Sequence, residues 1–229
     1  MTSVSPTPSL QEVRIPVGPG TWLQGDLGLP GRPIGLVLFA HGSGSGRHSA
    51  RNRQVARRLQ QEGIATLLFD LLTPQEEQVD LRTREHRFDI ALLTRRMEAA
   101  AEWTRGQAAL RELPLGFFGA STGSAAALIA AAQLGGRVAA VVSRGGRPDL
   151  AGPAVLAAVT APTLLIVGGD DHGVIELNEE ALRRLRCPAD IRIVPGATHL
   201  FEEPGALEQV ADLAAGWFGR HFVRTTHPA

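Results

Sequence analysis

Short apolar runs alternate along almost the whole chain with longer stretches in which apolar residues recur every three or four positions. The runs at 34–40, 64–72, 115–118, 138–142, 163–167 and 191–194 lack the strict apolar–polar alternation of a half-exposed sheet, so they read as strands covered on both faces. Two earlier segments, 12–16 and 21–29, read as an opening strand pair turned by Gly18, Pro19 and Gly20. Between the runs, Val55, Ala56 and Leu59 follow the helix cap Ser49, and Phe88, Ile90, Leu93, Met97, Ala100 and Thr104 mark one face of a long helix. Helices are also expected at 124–133, 174–185 and 207–218, with a short helical connection at 148–161. The polar stretch 73–84 is expected to cross the surface, and the charged loop 76–87 either covers the site or, as its exposure favours, simply connects two elements. The expected fold is α/β: a mostly parallel eight-stranded sheet with helices on both faces.

Organisation follows from the same pattern. Residues 12–222 are expected to form a single domain, with a flexible segment expected at 1–11 and a tail at 223–229; no insertion is long enough for a large cap domain.

Chemistry concentrates where apolar runs end. Phe117 and Phe118 lead into Gly119-Ala120-Ser121-Thr122-Gly123 and then an alanine-rich helix. A Gly-x-Ser-x-Gly sequence between strand and helix lifts a serine hydroxyl onto a sharp turn, where small neighbours leave room for a base and backbone amides. Ser121 is therefore the candidate nucleophile. The run at 163–167 ends in Gly168-Gly169-Asp170-Asp171-His172, and the run at 191–194 leads to Ala197-Thr198-His199. In chain order these supply a carboxylate and then an imidazole, His199, as candidate base. The Thr122 N–H and a second amide from 41–46, that of Ser43 before that of Gly44, are the expected oxyanion donors. His41 is expected to brace that loop. Gly44, His48, Arg144 and His172 are candidate pocket residues, Arg144 either meeting an acidic substrate group or forming a structural salt bridge.

Composition narrows the partners. All 23 basic residues are arginine, they are scattered, and 23 acidic residues balance them, so no overall field favours nucleic acid or an anionic membrane. No lysine is present, which excludes a Walker-type phosphate loop. The histidines have no metal-ligand spacing, the single Cys187 reads as a small apolar residue, and neither a signal peptide nor a membrane span is apparent. The expectations are no metal, no cofactor, a small-molecule partner and a cytoplasmic location.

With the glycine-rich stretch 41–46, the serine elbow, Gly168-Gly-Asp-Asp171 and Ala197-Thr-His199 in that order, the sequence over about 12–222 resembles the α/β-hydrolase superfamily, and within it the dienelactone hydrolase-like family. The resemblance implies an α/β-hydrolase fold without a large cap and a catalytic triad of Ser121, Asp171 and His199. The family's spacing favours Asp171, with Asp170 as alternative. Dienelactone hydrolases carry cysteine at the elbow, so serine here argues against transferring their substrate. The expected activity is hydrolysis of a small or medium carboxylic ester through an acyl-enzyme; the alternatives are acyl transfer on the same triad or ligand binding with little turnover.

Overall fold

The computed structural model describes residues 9–222. Eight strands form one sheet in the order β1-β2-β4-β3-β5-β6-β7-β8. They span Ser9–Gly18 (β1), Thr21–Leu29 (β2), Gly35–Ala40 (β3), Ile64–Phe69 (β4), Leu115–Ala120 (β5), Val138–Arg144 (β6), Thr163–Gly168 (β7) and Ala189–Val194 (β8). β2 runs antiparallel to β1 and β4, and every later pairing is parallel. This is the architecture expected from the apolar runs. β3, β4, β5 and β7 are buried at every position, which is why they carry no alternation.

The helices are Ala50–Gln61 (α1), Pro74–Thr83 (α2), Ile90–Arg105 (α3), Thr122–Leu134 (α4), Pro153–Ala158 (α5), His172–Arg184 (α6) and Ala206–His221 (α7). α1 and α7 cover one face of the sheet, packing Val55, Leu59, Val210 and Phe218 against Phe39 and Phe118. The other face carries α3 to α6, with Met97, Ala100, Leu128, Leu156 and Ala181 in its core. α4 is enclosed along nearly its whole length, from Thr122 to Leu128 and again at Ala130 and Ala131. Its alanines suit that position, since small side chains let a helix lie close to the sheet and to its neighbours at once.

Several boundaries differ from the sequence expectation. β1 begins at Ser9, so residues 9–11 of the segment expected at 1–11 pair with Leu29, Gly28 and Leu27; the remainder of that segment, 1–8, and the expected tail at 223–229 lie outside the described residues. The stretch expected to cross the surface as a connector contains a helix, α2, opened by a capping box in which Thr73 and Glu76 satisfy each other's backbone amides, with Pro74 in the first turn. Its amphipathic signal is weak and only Asp80 is buried, so periodicity alone does not reveal it. Phe88 precedes α3 and is exposed, because Asp89 caps the helix one residue later. The connection at 148–161 divides into a 3₁₀ turn, Pro148–Ala151, and α5, separated by Gly152 at φ 82°.

Candidate active site

The parallel strands deliver three loops to one edge of the sheet. β5 ends at Ala120, and Ser121 follows at φ 50°, ψ −124°, directly before α4. That left-handed conformation costs a non-glycine residue of order 1–3 kcal/mol and is held by its surroundings. The Ser121 N–H donates to the Arg144 carbonyl at the end of β6, and the Ser121 carbonyl accepts from Ser124 and Arg147. The small flanking residues are required: a Cβ on Gly119 would lie 2.5 Å from Ser124 Cα, and one on Gly123 would lie 2.3 Å from the Ala40 carbonyl oxygen.

Opposite the serine, the loop after β8 presents His199. Its Nε2 lies 3.4 Å from Ser121 Oγ, and its Nδ1 lies 2.7 Å from Asp171 Oδ2 in the loop after β7. An ionised carboxylate only accepts, so Nδ1 carries the hydrogen toward Asp171 and Nε2 is left to accept the serine proton. The longer serine contact is of the kind that tightens when substrate is bound. The three candidate triad residues, 28 and 78 positions apart in sequence, thus form one connected path. Asp170 has an exposed side chain, and its N–H is committed to the Ala197 carbonyl.

The expected oxyanion donors are adjacent. Thr122 N–H opens α4, and the Ser43 N–H donates to Thr122 Oγ1 at 3.1 Å. The helix start adds a positive dipole end to the position where negative charge would develop. His41 braces this loop as expected. It is buried, its Nδ1 donates to the Gly42 carbonyl, and its Nε2 accepts from Leu71 N–H. Burial pushes the His41 imidazole below its ordinary value, outweighing the Gly42 hydrogen bond and the fields of Asp70 and Glu77.

Two cavities border the loop after β3, and one of them reaches the serine. One is lined by Ser121, His199, Gly42, Ser43, Arg51 and Arg144 among others, so Arg144 stands at the candidate nucleophile. The other lies beyond the Ser43–Gly44 turn and is bounded by His41, Leu72, Leu81 and Arg87, which places Gly44 and the missed helix α2 at its wall. His48 and His172 line neither. His48 turns toward Asp26 and Arg53, and His172 is the exposed first residue of α6. The structural salt bridge considered for Arg144 is absent among the described residues, and Cys187 packs half-buried beside the core as expected of a small apolar residue. No helix of the described residues is long and apolar enough to cross a membrane.

Comparison with known proteins gives the family. The Alpha/beta hydrolase domain family matches residues 33–212. The structure of a dienelactone hydrolase from Anabaena variabilis is similar to this chain at 55% identity and a TM-score of 0.92, covering 94% of this chain and 99% of that one. Est1E from Butyrivibrio proteoclasticus shares the fold at a TM-score of 0.78 and 15% identity, covering 93% of this chain and 99% of its own. A Mycobacterium tuberculosis protein carrying the name "Putative phosphoribosyl transferase" is 56% identical over 211 residues, which are 92% of this chain and 46% of that protein. The chain therefore spans about half the length of the curated relatives it matches.

Proposed function

The chain belongs to the α/β-hydrolase family, of the dienelactone hydrolase-like kind, and on that premise we propose that it is a serine hydrolase cleaving a carboxylic ester of small or medium size. The observation that carries the reading is the unbroken path from Ser121 Oγ through His199 to Asp171. As Oγ bonds to the ester carbonyl carbon, its proton passes to His199 Nε2. The carbonyl oxygen takes the negative charge and is stabilised by the N–H groups at Thr122 and Ser43; the Ser43 amide turns from the Thr122 hydroxyl to the developing oxyanion or is shared between them. Collapse breaks the bond to the leaving alcohol, which receives the proton from His199. Water then attacks the acyl-enzyme with His199 again as base, releasing the acid and restoring Ser121. Asp171 holds the imidazole orientation and stabilises its protonated form.

Acyl transfer is the second reading, since the same acyl-enzyme can meet an alcohol or amine instead of water; the phosphoribosyl transferase name of the longer relatives denotes a different chemistry and lends it no support. A fluorophosphonate probe is expected to label the protein at Ser121, and p-nitrophenyl esters of increasing acyl length are expected to turn over, with both responses lost in Ser121→Ala. Undiminished turnover by that variant would overturn the hydrolase reading. Added alcohols or amines, with the products identified, separate hydrolysis from transfer.

A further inference from the structure

Arg144 ends β6, and its backbone carbonyl holds the Ser121 N–H. Its side chain is only 7% exposed, yet it meets no carboxylate among the described residues. Both Nε and Nη1 are enclosed without a hydrogen-bond partner there. The nearest compensation is the face of Phe201, whose ring centroid lies 5.9 Å from the guanidinium carbon, and the charged group that most influences Arg144 is another cation, Arg51. Burial and that repulsion lower its pKa to about 10, so it remains charged at neutral pH. An enclosed cation without a counter-charge is costly, and the fold does not need one at a strand end.

The cavity explains the cost. Arg144 shares it with Ser121, His199, Arg51 and Asn52. Arg51 is already committed at one end, with Nη1 3.0 Å from Glu202, while its Nε is enclosed and unpaired. Asn52 is buried with Oδ1 unpaired, so its amide can turn either a donor or an acceptor toward a ligand. No carboxylate is among the residues lining this cavity. A guanidinium here is suited to a planar or tetrahedral oxyanion, which it can meet with two parallel N–H donors.

We propose that Arg144, assisted by Arg51 and Asn52, forms an anion subsite that seats a carboxylate or phosphate group carried by the ester substrate, and so selects anionic over neutral esters. The proposal rests on the hydrolase reading for the word substrate, but the subsite exists independently of turnover. The anion supplies the counter-charge that the protein withholds, and its binding fixes the ester beside Ser121.

The experiment separates the two. Binding is measured by calorimetry on Ser121→Ala protein with inorganic phosphate and with succinate, which distinguishes a phosphate-selective from a carboxylate-selective site. At least one is expected to bind, and Arg144→Gln added to Ser121→Ala is expected to weaken it by about thirtyfold, with Arg144→Lys between the two. In the wild-type protein, 4-nitrophenyl hydrogen succinate is expected to exceed its neutral methyl ester in kcat/KM, and Arg144→Gln to reduce that ratio by at least about tenfold. The subsite and a structural role differ on folding: removing an unpaired buried charge is expected to leave the ligand-free melting temperature of Arg144→Met equal or higher, whereas a structural role predicts that it falls. Anion binding that depends on Arg144 without ester turnover would sink the hydrolase reading and keep the subsite. Ester turnover with no anion binding, an unchanged ratio in Arg144→Gln, or a destabilised Arg144→Met would overturn the subsite.

Discussion

His199 Nδ1 lies 2.7 Å from Asp171 Oδ2, although an exposed carboxylate, Asp170, immediately precedes that residue. The choice is made by backbone geometry. The Asp170 N–H donates to the Ala197 carbonyl and the Asp171 N–H donates back to Gly168, a turn that directs the second carboxylate toward the imidazole. Replacing Asp171 by Asn keeps the size but removes the charge and favours the wrong imidazole tautomer, so kcat for ester hydrolysis is expected to fall by about 10⁴-fold. Asp170→Asn should change kcat by less than about threefold, as for a group outside the proton path. Steady-state kinetics of the two variants, side by side, checks the assignment, and equal losses would contradict it.

Gly123 sits where α4 passes the end of β3. A Cβ there would approach the Ala40 and His41 carbonyl oxygens to 2.3 and 2.5 Å, backbone atoms that cannot rotate away. Gly123→Ala is expected to destabilise the fold by about 3 kcal/mol or more, through overpacking against fixed atoms. Gly216 gives the contrast, since it lies inside α7 with nothing within 4 Å of an added Cβ. Gly216→Ala should stabilise by about 0.5–1 kcal/mol, because a mid-helix glycine retains too much freedom when unfolded. Denaturant midpoints of the two variants are expected to move in opposite directions.

The positions of Ser121 and His199 were legible because a parallel sheet leaves unmistakable marks: fully buried strands read as unbroken apolar runs, and active loops follow their carboxyl ends. The choice between Asp170 and Asp171 was legible only through family spacing, since turn geometry decides it. α2 escaped for a different reason. It buries almost nothing, so it has no apolar stripe, and its start is written in Thr73, Pro74 and Glu76 instead. His48 was placed too near the site because its position after the glycine-rich turn says nothing of the pull exerted by Asp26 and Arg53. For Arg144 the sequence left two roles open, and only the enclosure of its unpaired guanidinium atoms weighs against a structural salt bridge.

The α2 region offers a local test of stability. Thr73 accepts from Glu76 N–H and so closes the helix start. Thr73→Ala is expected to cost about 1 kcal/mol. At the other end Asp80 is buried; its burial opposes ionisation, but hydrogen bonds from the Arg87 backbone and side chain and from the His86 N–H hold its carboxyl below the usual range. Asp80→Asn weakens all three contacts. The amide protons of His86 and Arg87 are expected to exchange at least about tenfold faster, while those of β5 stay protected, because the opening is local. Hydrogen exchange that accelerates equally in β5 would show instead that α2 unfolds only with the whole domain.

His41 makes stability depend on pH in a definite direction. Its folded-state pKa lies below the ordinary value of 6.5, since burial between Gly42 and Leu71 opposes the charged form. Above about pH 6.5 both folded and unfolded chains hold it neutral, and it adds no pH dependence. As pH falls through 6.5 toward the lowered value, the unfolded chain takes up a proton that the folded chain refuses, and stability declines by at most about 1.4 kcal/mol per pH unit. Below the folded value both states are protonated and the loss is complete. His41→Gln cannot take up that proton, so the stability difference between wild type and variant should shift in favour of the variant as pH falls below about 6.5, until the lowered folded-state value is passed. Urea denaturation at half-unit pH steps measures it, and subtraction removes His221, whose imidazole burial and Arg220 also lower. A difference that does not change as pH falls below about 6.5 would mean that the folded protein takes up the His41 proton as readily as the unfolded chain, and that burial does not lower its pKa.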